Sequence, residues 1–290
     1  MREDRAATLA LAGVTAIWGS TFVVVKDAVA RMPVADFLAW RFALAAIAMM
    51  VLRPRALARL GRRGRRAGVV LGLALGTGYL LQTVGLQTTG PAESGFITGM
   101  FVVLTPLAGA VLLRQRPRRE VLAAVLLATA GLGLLSLHGV SIGTGELLTL
   151  GCAAAFALHI VGLGRWAPSH DAFGLAVVQL LTTALLCAAL AVPGGLTPPP
   201  DLGVWGALAL TSLAATALAF VVQTWTQARL PPTKAAVVMT MEPVFGGFFA
   251  VLLAGERLGW RTLAGAGLVV LAMLLTELVP RQDKVLRLEV

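Results

Sequence analysis

From Thr8 to Leu278 the sequence alternates between apolar runs of roughly twenty residues and short breaks, a rhythm that leaves few solvents to fold in. A bilayer-spanning helix needs about 20 mostly apolar residues, and in lipid only helices and closed barrels satisfy their own backbone groups. Only 13% of the 290 residues are charged and 58% are hydrophobic, whereas a soluble domain carries about 25% charged residues. With a mean hydropathy of +0.85, the chain cannot cover itself with polar surface. The expected fold is therefore an all-α polytopic membrane protein. Ten runs qualify as spans: Thr8–Ala28, Val34–Leu52, Gly68–Thr88, Ala92–Leu113, Glu120–Leu137, Gly145–Gly164, Ala172–Val192, Leu202–Ala228, Thr233–Ala254 and Gly259–Leu278. The breaks carry turn residues, among them Met32-Pro33, Thr89-Gly90-Pro91 and Pro193-Gly194-Gly195. Because Met1 to Arg5 lead straight into the first run, that helix is expected to be its own targeting signal, with no cleavable leader.

One stretch occurs twice. Setting "LLQTVGLQTTGPA", Leu80 to Ala92, on "VVQTWTQARLPPT", Val221 to Thr233, pairs Gln82 with Gln223, Thr83 with Thr224 and Pro91 with Pro232, each 141 residues apart. The same offset carries onward to Leu112 and Leu253, Arg116 and Arg257, Leu122 and Leu263, and Leu134 and Leu275. One unit used twice gives residues 1–137 as the first repeat and 145–279 as the second. Five helices is an odd number, so the second copy enters the membrane from the opposite side. Ten helices in two inverted five-helix repeats place a substrate site between the halves near the midplane, with alternating access. The tail 280–290 lies outside this pattern, and its last residues, Leu288-Glu289-Val290, read as a cloning remnant.

Arginines set the orientation. Arg53, Arg55, Arg59, Arg62, Arg63, Arg65 and Arg66 crowd the break after the second span with no acid among them, and Arg114, Arg116, Arg118 and Arg119 follow the fourth. The breaks after the third, fifth and seventh spans hold no Lys or Arg. Cytoplasmic loops carry the basic excess, so both termini are expected in the cytoplasm. The same bias explains the net charge of +10 without invoking nucleic acid, since almost no aromatic residues are interleaved with the basic ones.

Polar groups retained inside the spans need a reason, because a charge at a helix centre costs about 2.5–3.5 kcal/mol on insertion scales. Glu242 sits eight residues past Lys234, about 12 Å into the ninth span. It could carry a coupling proton or receive an ammonium group; equally, it could cap backbone freed by Pro243 or pair with Lys234 or Arg41. Arg41, inside the second span, has Glu93, Asp27 and Asp36 as candidate partners, and a structural ion pair is the expected role. Lys26 and Asp27 read as boundary residues. Pro106 and Pro243 each delete a backbone hydrogen bond in corresponding spans; they could open a cavity and act as hinges, or be fixed kinks. Gln82, Thr83, Gln223 and Thr224 recur at repeat-equivalent places and could face the interface or bond between helices. Trp18, Phe22, Tyr79, Phe101, Phe156, Phe220 and Trp225 lie within spans and could line a cavity, whereas Trp166, Trp205 and Trp260 near span ends read as an interfacial belt.

Enzyme chemistry finds no support. His138, His159 and His170 lie far apart without Cys or carboxylate at metal spacing, Cys152 and Cys187 read as buried filler, and no phosphate-binding Gly-rich loop occurs, so neither metal, ATP nor another cofactor is expected.

Four features together resemble a known family: "AIWGSTFVVVK" from Ala16, "FLAWRFALAA" from Phe37, "MEPVFGGFFAVLLAGERL" from Met241, and the ten-span repeat. The chain is similar to the EamA-domain branch of the drug/metabolite transporter superfamily. The first copy departs, with "LTP" at Leu104–Pro106 where "EP" would be expected and "LRQRP" at Leu113–Pro117 in place of "GERL". The resemblance implies a secondary carrier for small metabolites, and most closely an aromatic or broad-range amino-acid exporter of the YddG type. It also implies Trp18, Tyr79, Gln82, Gln223, Trp225 and Glu242 as cavity residues. The central cavity would be lined by spans one, three, four, six, eight and nine, with membrane lipid around it and a monomer sufficient. A proton-coupled exporter of hydrophobic organic cations is the alternative reading.

Overall fold

The computed structural model describes residues 2–112, 143–230 and 241–278, with scattered residues and pairs between 119 and 134 and between 232 and 239. Most of the fifth expected span, Glu120–Leu137, lies outside the described residues, as do Lys234 and the tail. The helices are α1 (Arg2–Val29), α2 (Val34–Leu52), α3 (Ala56–Arg59), α4 (Arg62–Thr88), α5 (Pro91–Thr98), α6 (Phe101–Leu112), α7 (Thr144–Trp166), α8 (Ala172–Ala191), α9 (Leu202–Ser212), α10 (Ala219–Gln227), α11 (Met241–Ala254) and α12 (Trp260–Leu278). A π-helical segment, Leu213–Leu218, joins α9 to α10.

Among the described residues seven stretches are long and apolar enough to cross a membrane: Arg5–Val29, Val34–Leu52, Arg62–Thr88, Pro91–Leu112, Thr144–Ser169, Ala172–Gly194 and Leu202–Gln227. Met241–Ala254 and Trp260–Ala272 are apolar but shorter. Large apolar side chains on the outside, such as Val111 at 78% and Leu185 at 70% exposure, face what in water would be an intolerable solvent. The molecule is a multi-pass membrane protein.

Helix ends follow local chemistry. Asp171 and Asp201 cap α8 and α9 by accepting from Gly174 N (2.7 Å) and Val204 N (2.9 Å), and Pro91 opens α5 where its missing N–H costs nothing. Some sequence expectations shift. The chain from Arg53 to Arg66 is not a plain loop: α3 forms within it, and α4 starts six residues before Gly68. The fourth expected span is broken at Gly99–Met100, well ahead of Pro106, and the i−3 bonds Val102 N→Gly99 O and Val103 N→Met100 O tighten the backbone there. Pro106 itself lies inside α6. Pro243 stands in the first turn of α11 rather than mid-helix, where a missing donor is tolerated.

Within lipid, helix association depends on close packing. α4 runs along α7 and α8, α2 packs on α8, and α1 packs on α11. At the α1–α11 crossing, a Cβ on Gly19 would stand 2.7 Å from Gly246 N; at the α4–α7 crossing, one on Gly85 would stand 2.7 Å from Gly145 O. Only glycine lets these backbones meet, and so α1, α4, α7 and α11 converge on the centre.

Candidate functional site

Where these helices converge they enclose a narrow cavity of about 40 Å³, room for about three waters at roughly 10–15 Å³ each. Trp18, Thr21, Phe22 and Val25 come from α1, Arg41 from α2, Leu75, Tyr79, Gln82 and Leu86 from α4, and Phe101 from α6. Phe156, His159 and Ile160 come from α7, Phe220 and Gln223 from α10, and Glu242 from α11, with Met239 just before it. The walls are mostly aromatic and aliphatic; the convergent polar groups are few, which is the usual makeup of a small-molecule site.

The π segment organises one end. In an α-helix the Ala215 carbonyl would accept from Ala219 N, but that N–H bonds to Ala214 O and Thr216 O instead. The freed Ala215 carbonyl accepts from Trp18 Nε1 at 2.8 Å, and Thr216 Oγ1 accepts from Arg41 Nε at 2.9 Å. Two cavity residues from the first half are thus held by one irregular turn of the second, and π-bulges gather at functional sites. Trp18 packs on Phe220 at 5.7 Å between ring centroids, and Tyr79 touches Phe42, Phe156 and Phe220 at 5.0, 5.3 and 6.2 Å.

The ion pair expected for Arg41 does not form. Asp36 accepts from Thr197 N, and Asp27 pairs with Arg31, which also grips Asp201 at 2.9 Å. Among the described residues no carboxylate lies within ion-pair distance of Arg41; its guanidinium lies over Tyr79, 4.7 Å from the ring centroid, and against Phe42 at 5.5 Å. Arg41 and Glu242 are both buried, at 2% and 6% exposure, and face one cavity without touching.

The two repeat-related glutamines sit alike. Gln82 Nε2 donates to Thr98 Oγ1 at 3.2 Å, and Gln223 Nε2 reaches Met239 Sδ at 3.9 Å, partners that are themselves 141 residues apart. Gln223 Nε2 also donates to Gln227 Oε1 at 3.1 Å, while Gln223 Oε1 is buried with no partner. The offset extends across the lining: Trp18 and His159, Tyr79 and Phe220, Gln82 and Gln223, and Phe101 and Glu242 are four pairs, every member of which faces the cavity.

Of the expected cavity residues, Trp18, Tyr79, Gln82, Gln223 and Glu242 are brought together. Trp225 is not: it lies under Arg229, whose guanidinium is 4.4 Å from the indole centroid. Sequence reasoning overlooked His159, whose Nε2–H donates to Gln179 Oε1 at 2.7 Å deep in the protein. The signal was present, since His159 stands 141 residues after Trp18. Among the described residues no cluster of His, Cys, Asp or Glu could hold a metal ion.

The pattern of the EamA-like transporter family matches residues 5–137 and again 143–278. An uncharacterized transporter of Archaeoglobus fulgidus is 32% identical over 272 residues, covering 94% of this chain and 86% of its own. The uncharacterized transporter YyaM of Bacillus subtilis is 25% identical over 296 residues, covering 94% of each chain. A solved crystal structure superimposes with a TM-score of 0.72 at 20% identity over 97% of this chain and 99% of that one, a likeness of fold alone.

Proposed function

From a chain that belongs to the EamA-like transporter family, we propose a secondary carrier that exports amino acids or similar small metabolites by alternating access. The carrier is built as ten helices in two inverted five-helix repeats, residues 1–137 and 145–279. It resides in the inner membrane with both termini cytoplasmic, as the arginine-rich break around α3 suggests. One observation carries the reading: four pairs of residues, 141 positions apart, line one cavity, as expected when a site lies on the pseudo-twofold axis between repeats. Pro106 and Pro243 stand in corresponding spans and are the natural hinges. The cavity holds only about three waters, so an amino acid enters when the walls part. A single chain contains both walls, and a monomer suffices.

A second reading takes hydrophobic organic cations as cargo, because Glu242 faces Trp18, Phe22, Tyr79 and Phe220 in the same cavity, and aromatic faces attract cations. Reconstitution in liposomes separates the two: uptake of labelled phenylalanine, threonine and an organic cation is measured with and without an imposed pH gradient. Amino-acid uptake supports the first reading. Uptake of the cation alone, driven by the gradient, replaces it with the second.

A further inference from the structure

We propose that the central cavity is a receptor for an α-amino-acid zwitterion, with Arg41 taking the carboxylate and Glu242 together with Gln223 Oε1 taking the ammonium. The inference deepens the transport reading of the same cavity and rests on it.

Three observations support it. First, the cavity carries one buried cation and one buried carboxylate on different helices, and the two do not pair with each other. Among the described residues neither has an ion-pair partner, burying such groups unpaired in an apolar enclosure is costly, and a dipolar occupant compensates both at once. A monovalent organic cation satisfies Glu242 but leaves Arg41 facing like charge at short range in a medium that screens poorly.

Second, the polar valences left over have the right sense at each end. Arg41 is fixed through Nε to Thr216 and lies over the Tyr79 ring, so the rest of its planar fork of N–H donors is pre-set for a carboxylate. At the other end, Gln223 spends its amide N–H groups on Gln227 and Met239, and its Oε1 is buried without a partner. Met239 also accepts from Glu242 N at 3.0 Å, which ties the glutamine and the carboxylate to one residue. An unpaired amide oxygen and a carboxyl group from residues that line one cavity make an acceptor set, and an ammonium has three donors to offer it.

Third, the spacing fits. Thr216, which anchors Arg41, and Gln223 lie seven residues apart on one helical stretch, about 10 Å along its axis. An α-amino acid separates its nitrogen from its carboxyl carbon by about 2.5 Å. Two charge-assisted hydrogen bonds of about 2.8 Å bring the span to roughly 8 Å.

The test uses the wild-type protein in liposomes and three forms of one molecule: phenylalanine, its cationic amide and its anionic N-acetyl derivative. The expected result is phenylalanine uptake more than tenfold above both analogues. Arg41→Gln should narrow the gap to the amide, Glu242→Gln should narrow the gap to the N-acetyl compound, and Arg41→Lys should retain part of the preference. Equal uptake of phenylalanine and its amide by the wild type overturns the zwitterion site while leaving transport intact. So does wild-type uptake by an Arg41→Gln protein that elutes as a single folded species. If that variant does not fold, the analogue series on the wild type decides alone. No uptake of any amino acid overturns the transport reading itself.

Discussion

Trp18, Tyr79, Gln82 and Phe101 form one set of cavity-lining residues, and the residues 141 positions later, His159, Phe220, Gln223 and Glu242, form the other. Geometry is shared down to the contacts, since Gln82 reaches Thr98 and Gln223 reaches Met239 at the same sequence separation. The chemistry is not. The carboxylate stands in the second wall where the first has Phe101, and the guanidinium comes from α2, whose repeat-equivalent position holds Thr182. Residues at one fixed offset can therefore share contacts while their chemistry diverges.

Experiments that unbalance the walls test this directly. The largest effect is expected at Glu242→Gln, which removes a charged acceptor worth about 1.5–3 kcal/mol. Phenylalanine uptake in liposomes should fall at least tenfold, whereas unchanged uptake would return Glu242 to a structural role. Gln223→Ala comes next: loss of one neutral contact of about 1 kcal/mol should lower uptake roughly fivefold, with folded protein abundance unchanged. Gln82→Ala should cost less, about twofold, because its amide already bonds to Thr98 in the resting cavity. Equal losses at Gln82 and Gln223 would show that the walls are functionally alike and break the comparison.

The smallest effect lies outside the membrane. The Val204 N–H, and then the Arg31 guanidinium, hold Asp201 below the ordinary carboxylate range. A carboxylate with a depressed folded-state value adds stability above its unfolded value and loses it as pH falls through the folded one. The clasp is exposed, so the contribution is slight. Melting of detergent-solubilised protein should therefore show a small wild-type advantage over Asp201→Asn at neutral pH that vanishes in acid; an advantage that persists in acid would rule out the charge as its source.

Composition made the helical membrane fold legible, and both glutamines of the repeated Gln-Thr pair, Gln82 and Gln223, line the cavity. Trp225 was misread although helical geometry argues against it: it stands two residues from Gln223, and such neighbours do not share a face. Phe220, Gln223 and Gln227, at spacings of three and four, do. Arg41 was assigned an ion pair because buried charge calls for opposite charge; the hydroxyl that holds it belongs to Thr216 in a π turn, and backbone irregularity of that kind leaves no mark in hydropathy. Pro106 gave no notice of the irregular turn that precedes it, because the i−3 bonding at Gly99–Val103 is a backbone feature upstream of the proline.

The π turn at Leu213–Leu218 also sets the phase of everything after it. Each residue advances an α-helix by about 100°, so a segment that accommodates one extra residue rotates its downstream face by that amount relative to the face upstream. Regularising the turn by a one-residue deletion would keep α10 intact as a helix and leave its composition untouched. Phe220 and Gln223 would swing about a quarter turn out of the cavity. The position of the second wall is thus written in a local miscount of residues per turn, which a substitution would leave in place and a single deletion would erase.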